Sequence, residues 1–354
     1  MISPLPTGPL SGYPTEQSGS WPRHEWPGDS CSPEVQAIFD EAFNDPALSE
    51  TRAALLIHRG QLLAEHYAGS LPSFVDAPRE VGAEVPLLSW SMAKSVLALL
   101  VAQLVDDGLL ALEDSLEVPE WGSDDPRRSI TLNHALEMRD GLAFAEEYTD
   151  DGVSDVIEML FGAGASDVAA YAASRPLAHQ PGEVFNYSSG TSNLIARQVG
   201  LRLGGEAAVR AALTDRIFAP LAITSADPGF DDAGTFMASS YLHATARDFA
   251  RLGLMLCRGG RAQGQQIVPE AWVDRWRTPC SEDPEGYLYS AHFWAFGDEW
   301  GTFYLAGFEG QSITICPPLD LVIVRLGTTP AERNEHLFEW RQRLIAQVAA
   351  ELPS

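Results

Sequence analysis

Between Val96 and Val105 every position except Gln103 is apolar. A helix that is apolar nearly all round is buried on most of its faces. Gly108, just beyond Asp106-Asp107, can end it as a left-handed C′ residue. Upstream, a helical pattern opens near Ser32 and runs to about Phe43. "RAALLIHRGQLLAEHYAG" then reads as two strands joined at Arg59-Gly60. Downstream the periodicity is helical for a long stretch. "SITLNHALEMRDG" predicts a short helix with Ser129 or Thr131 near its start and Gly141 after its end. "DVIEMLFG" and "DVAAYAASRPL" follow, and "TSNLIARQVGLRLGG" begins at Thr191 or Ser192 and stops at Gly204-Gly205. "HATARDFARLGLMLCRGG" carries a capping pattern, with Thr245 the cap and Asp248 the acid three residues on. After "VPEAWVDRW", with Pro269 near its start, "YLYSAHFWAFG", "GQSITIC" and "LDLVIVRLG" are β-type. A last helix spans about Ala331 to Ala350.

Strands therefore lie at both ends and helices between them. That pattern predicts an α+β fold in which residues 31–115 and 245–354 form one domain. Residues 116–244 are then a helical subdomain. Residues 1–30, rich in Pro, Gly and Ser, read as an extended arm or disorder.

Ser91 and Lys94 stand just ahead of the apolar run. Three residues apart, they share one helix face within the first turn. A lysine there loses solvation and faces the positive end of the helix dipole, and both effects favour its neutral form. A neutral lysine beside a hydroxyl is a general base beside a nucleophile. The plainer alternative is a capping serine with a solvated lysine.

The formal net charge of −26 disfavours nucleic acid and anionic membrane surfaces as partners. No apolar run predicts a membrane span, and the N-terminus has neither a basic start nor a continuous apolar core. A cytoplasmic location is expected. Cys31, Cys257, Cys280 and Cys316 are widely spaced and read as buried or partly buried thiols. His58 and His66 read as strand residues of the first hairpin. No spacing predicts a metal site, and no cofactor is expected.

A serine–lysine pair needs another polar group to relay a proton to the leaving group. In "GEVFNYSSGTSN", Tyr187 and Ser189 fall in a loop before a helix. Tyr187 is a candidate relay or an aromatic loop anchor. In "AGFEGQSITIC", Gly307 and Gly310 flank the entry to a strand, where backbone can approach a ligand.

Ser-x-x-Lys, Tyr-x-Ser and a glycine-bearing late strand, in that order, resemble the penicillin-recognising serine hydrolases. That superfamily includes class C β-lactamases, DD-peptidases, esterases and nylon-oligomer hydrolases. "SMAKS", "YSSGTSN" and "GFEGQ" look closest to the 6-aminohexanoate-dimer hydrolase type, supported by "EEY" at Tyr148, "ATARDFARLG" and "LVIVRLG". The resemblance implies a β-lactamase/transpeptidase-like fold, an antiparallel sheet flanked by helices plus an all-helical subdomain. It implies Ser91 as the acylated nucleophile, Lys94 as its base, and Tyr187 sharing that role and passing a proton to the leaving group. The backbone N–H groups of Ser91 and Phe308 would form the oxyanion hole. Tyr148, Ser189 and Gly307 would contact or support the substrate, a small ester or linear amide. Two departures stand out. The Lys-Thr-Gly of β-lactamases is Leu305-Ala306-Gly307, and the usual asparagine of Tyr-x-Asn is Ser189. The alternatives are a β-lactamase or DD-peptidase, and a binding protein of the same fold without catalysis.

Overall fold

A computed structural model describes residues 12–14, 21–71, 78–148 and 154–351. Its main sheet has eight strands: β1 (Glu50–His58), β2 (Gln61–Tyr67), β3 (Ser281–Glu282), β4 (Leu288–Ser290), β5 (Phe293–Ala295), β6 (Phe303–Gly307), β7 (Gln311–Cys316) and β8 (Leu321–Thr328). Their order is β3-β4-β5-β6-β7-β8-β1-β2, with every neighbouring pair antiparallel. The two strand groups from the chain ends thus join at β8 and β1, paired from Glu50↔Thr328 to His58↔Leu321 with one slip between Thr51 and Ala53.

The helices are α1 (Pro33–Asn44), α2 (Met92–Asp106), α3 (Leu132–Leu136), α4 (Asp155–Phe161), α5 (Val168–Ala173), α6 (Ser189–Leu203), α7 (Glu206–Leu213), α8 (Ala246–Cys257), α9 (Glu270–Arg277) and α10 (Asn334–Glu351). Alternation along β1 explains the layers, because successive side chains point to opposite faces. Ala53, Leu55 and Ile57 enter the larger core with α2 and α8. Ala54 and Leu56 enter a second core with Phe39 of α1 and Trp340 of α10. Helix α2 is buried from Met92 to Leu104, as its unbroken apolar character requires.

Three boundaries differ from the sequence pattern. Helix α6 begins at Ser189 rather than Thr191 or Ser192, because the Ser188 side chain accepts the Thr191 N–H and caps one turn earlier. Helix α3 stops at Leu136, well before Gly141, and Met138 already has a left-handed backbone. Helix α10 starts at Asn334, after a single 3-10 turn from Ala331 to Arg333.

Most of the arm expected over residues 1–30 lies outside the described residues. Within its described part, Trp26 is buried in the main core and the Pro27 carbonyl accepts the Leu62 N–H at 2.8 Å. All four cysteines are free thiols, with Cys257 and Cys316 buried. Among the described residues no helix is long and apolar enough to cross a membrane.

Candidate active site

Ser91 is held at the mouth of α2 by a tight approach. Leu87 and Leu88 pair with Ala244 and His243, and Trp90 turns the chain with a left-handed φ of 47°. A bulky residue in that region is strained, and such strain concentrates at functional sites. Ser91 takes the N-cap position, yet its side chain makes no capping hydrogen bond. Its Oγ accepts instead from Lys94 Nζ at 2.8 Å. The ammonium also donates to Ser189 Oγ and to the Ser239 carbonyl, both at 3.0 Å, so all three donors are engaged. Lys94 is only 2% exposed, and the capping-serine, solvated-lysine alternative falls. Burial lowers the Lys94 pKa to about 8, against the opposing pull of Glu146.

Tyr187 arrives from the turn before α6. Its ring lies 4.8 Å from Lys94 Nζ. Burial, then the Glu146 charge, push its pKa well above that of an ordinary phenol. Trp294 and Tyr289 wall the ring at 5.5 and 5.9 Å. Ser189 sits in the first turn of α6, not in the loop, and there it bridges Lys94 to Glu146. The Glu146 carboxylate accepts from Ser189 N–H at 2.7 Å, from Ser189 Oγ at 2.5 Å and from Tyr148 Oη at 3.1 Å.

Sequence reasoning missed two of these groups. "EEY" held Glu146, but nothing in local spacing separates it from any surface glutamate. The Ser239 carbonyl carries no sequence signal. Its position is fixed by Asn193, whose amide exchanges hydrogen bonds with Ser239 N–H and Oγ at 3.2 Å each.

Strand β6 closes the other flank. A Cβ on Gly307 would lie 2.3 Å from the Ser89 carbonyl oxygen, so only glycine allows this approach to the nucleophile's loop. Phe308 opens a tight turn in which Glu309 and Gly310 have φ of 60° and 80°. Its ring stacks on Tyr148 at 4.4 Å and meets Trp90 edge-on at 5.6 Å. Among the described residues, the Ser91 and Phe308 amides take no part in the backbone hydrogen bonds that tie turns and loops together. A cleft of about 570 Å³ opens beside this cluster. Glu146, Tyr148, Tyr187 and Gly307 line its near end. Among the described residues no group of three or more His, Cys, Asp or Glu is placed to hold a metal ion.

The family described as Beta-lactamase matches residues 49–347. The chain belongs to that family. It is 27% identical over 331 residues to the 6-aminohexanoate-dimer hydrolase of Paenarthrobacter ureafaciens, covering 85% of this chain and 79% of that one. A putative 6-aminohexanoate-dimer hydrolase from Bacillus anthracis superposes with a TM-score of 0.76 at 20% identity, over 94% of this chain and 90% of that one. The octameric penicillin-binding protein homologue from Pyrococcus abyssi superposes with a TM-score of 0.65 at 18% identity, over 83% and 73%. This beta-lactamase family member therefore has the β-lactamase/transpeptidase-like fold and is a serine hydrolase.

The sequence aligned Leu305-Ala306-Gly307 with the Lys-Thr-Gly of β-lactamases, and Leu305 stands in β6. Its side chain is fully buried in the main core. Strand alternation instead turns Tyr304 and Ala306 toward the cleft. Strand β6, with the sequence FYLAG, carries no basic residue.

Proposed function

We propose that the protein hydrolyses carboxylic esters or linear amides through an acyl-enzyme on Ser91. The observation that carries this reading is the buried Lys94 ammonium, aimed at Ser91 Oγ and depressed in pKa, with no carboxylate among the described residues in direct contact. In its neutral form Lys94 takes the Ser91 proton as Oγ bonds to the substrate carbonyl carbon. The Ser91 and Phe308 amides receive the developing oxyanion. Tyr187 remains a neutral phenol at ordinary pH, which makes it a proton donor. It protonates the leaving alcohol or amine as the carbonyl–heteroatom bond breaks, and Lys94 restores its proton. Water then attacks the acyl carbon, delivering one proton back through the same pair and releasing the acid.

Glu146 and Ser189 hold Lys94 in register, and Tyr148 stands over the substrate entry beside Phe308. Leu305 offers no charge to a β-lactam carboxylate, which favours open-chain esters and amides over β-lactams. Intact-mass measurement after exposure to p-nitrophenyl acetate tests the reading. One acetyl adduct is expected, mapping to Ser91 and missing in Ser91→Ala. An adduct that persists in Ser91→Ala overturns it.

A further inference from the structure

The segment "YLYSAHFWAFG" folds as a hairpin whose turn is buried. Ser290 of β4 pairs with Phe293 of β5, so Ala291 and His292 alone make the turn. Their φ angles are 40° and 74°, a left-handed pair that favours asparagine and glycine. Both residues are buried, His292 to 3% exposure, whereas turns normally run over the surface. Strain of this kind persists only where the surroundings over-determine it. His292 is held at three points. Its carbonyl accepts from Ser95 Oγ at 2.6 Å. Its ring Nδ1 lies 3.0 Å from the Leu136 carbonyl, and Nε2 lies 3.0 Å from Ser192 Oγ. A carbonyl can only accept, so Nδ1 carries the proton and Nε2 accepts from Ser192. Burial, with the Lys94 and Arg275 charges acting the same way, pushes the His292 pKa down to about 3 and keeps the ring neutral.

These contacts reach the groups that surround Lys94. Ser95 follows Lys94 in the first turn of α2. Ser192 lies three residues beyond Ser189 on one face of α6, next to Asn193, which fixes the Ser239 carbonyl. Lys94 donates to both Ser189 and Ser239. On the third side, Tyr289 Oη is 3.5 Å from His292 Nδ1, and the Tyr289 ring meets Tyr187 edge-on at 5.9 Å. We propose that His292 is a positioning residue for the proton-transfer pair. It bolts the first turn of α2 to the first turn of α6, so that Lys94 stays between Ser91 and Ser189, and it backs the ring that walls Tyr187. The role rests on the acyl-enzyme reading above, and His292 acts through Lys94 and Tyr187 from behind them.

Lys94 is the only lysine in the chain, so protein grown on lysine isotopically labelled at Cε gives a single lysine NMR signal that reports the base directly. His292→Asn keeps a residue that tolerates the left-handed backbone but withdraws the acceptor from Ser192. Ser192→Ala withdraws the donor from the other side. Each is expected to shift or split the Lys94 signal. Each should also lower kcat for p-nitrophenyl acetate by about ten- to hundredfold with KM held within about threefold, because acylation and deacylation pass through the same pair. Combined, the two should cost little more than the larger single loss. Phe39→Leu, in the second core, controls for plain destabilisation and should leave the Lys94 signal where it is. Where His292→Asn does not fold, His292→Gly, suited to a φ of 74°, takes its place. An unmoved Lys94 signal in a folded His292 variant overturns the proposal, as does a kcat within about threefold of the parent or fully additive losses in the pair. A parent enzyme that forms no acetyl adduct on Ser91 counts against the acyl-enzyme reading. The Lys94 signal still decides the positioning role in that case, because it needs no turnover.

Discussion

Lys94 is where sequence, burial and chemistry meet in one side chain. Its place three residues after Ser91 on an apolar helix was legible, because helix geometry alone puts both on one face. The group that tunes it was not legible, since Glu146 reaches it from another segment through Ser189. Burial depresses the Lys94 pKa to about 8 and the Glu146 charge holds it up. The base is therefore mostly protonated at neutral pH, and kcat/KM for a p-nitrophenyl ester should rise as pH climbs through about 8. Glu146→Gln keeps an acceptor for Ser189 but removes the charge that favours the ammonium. The Lys94 pKa then falls further, and the rising limb should move to lower pH. A limb that stays put or moves upward in a pH–rate profile would separate Glu146 from the base.

At the scale of elements, the site is a meeting of the α2 N-terminus, the α6 first turn and the end of β6. The glycines of "AGFEGQ" signalled a close approach, but not which backbone would be approached. It is the loop carrying Ser89, 2.3 Å from where a Gly307 Cβ would stand. Backbone cannot give way as a flexible side chain does, so Gly307→Ala must push β6 away from Ser91. Overpacking of this kind costs about 1–3 kcal/mol. Because the shift separates the Ser91 and Phe308 amides, ester hydrolysis should fall by about a hundredfold, the scale of losing one oxyanion donor. Denaturant melts and kcat/KM on one ester check both parts. Unchanged activity in a destabilised variant would take Phe308 out of the oxyanion hole. The start of α6 was misread for a local reason: Ser188, Ser189, Thr191 and Ser192 are all competent caps, and only the observed Ser188 bond decides among them.

Across the whole molecule, Arg325 ties the two chain ends to the site. From β8 it donates to the Leu48 and Glu50 carbonyls at 3.2 and 3.1 Å, and to Glu309 and Gly310 in the turn after Phe308 at 3.1 and 3.3 Å. Burial, with a contribution from Arg341, lowers its pKa to about 9. Within "LVIVRLG" it read only as one residue of a strand. Arg325→Leu leaves several buried carbonyls without a donor, at about 1–3 kcal/mol for each one left unsatisfied. A loss of at least 3 kcal/mol is expected by chemical denaturation, roughly two such acceptors. The loosened turn should lower kcat more than it raises KM. A melt within about 1 kcal/mol of the parent would show that water satisfies those carbonyls and that the clamp is dispensable.

By itself the sequence determined what periodicity and short spacing encode. The buried α2, the Ser91/Lys94 pair on its first turn, the β-rich chain ends and the helical middle all follow from rules acting over a few residues. The antiparallel character of the β1–β2 hairpin follows in the same way. Tertiary structure alone decided what depends on contacts between distant segments. It set the strand order that joins β8 to β1, and the carboxylate that steadies Lys94 through Ser189. It also sent Leu305 into the core while Tyr304 and Ala306 face the cleft, and set Arg341 of α10 in the lining of that cleft. The reason is physical: helix and strand periods fix which face a residue shares, whereas its electrostatic partners are chosen by the packing of elements that the local sequence does not see.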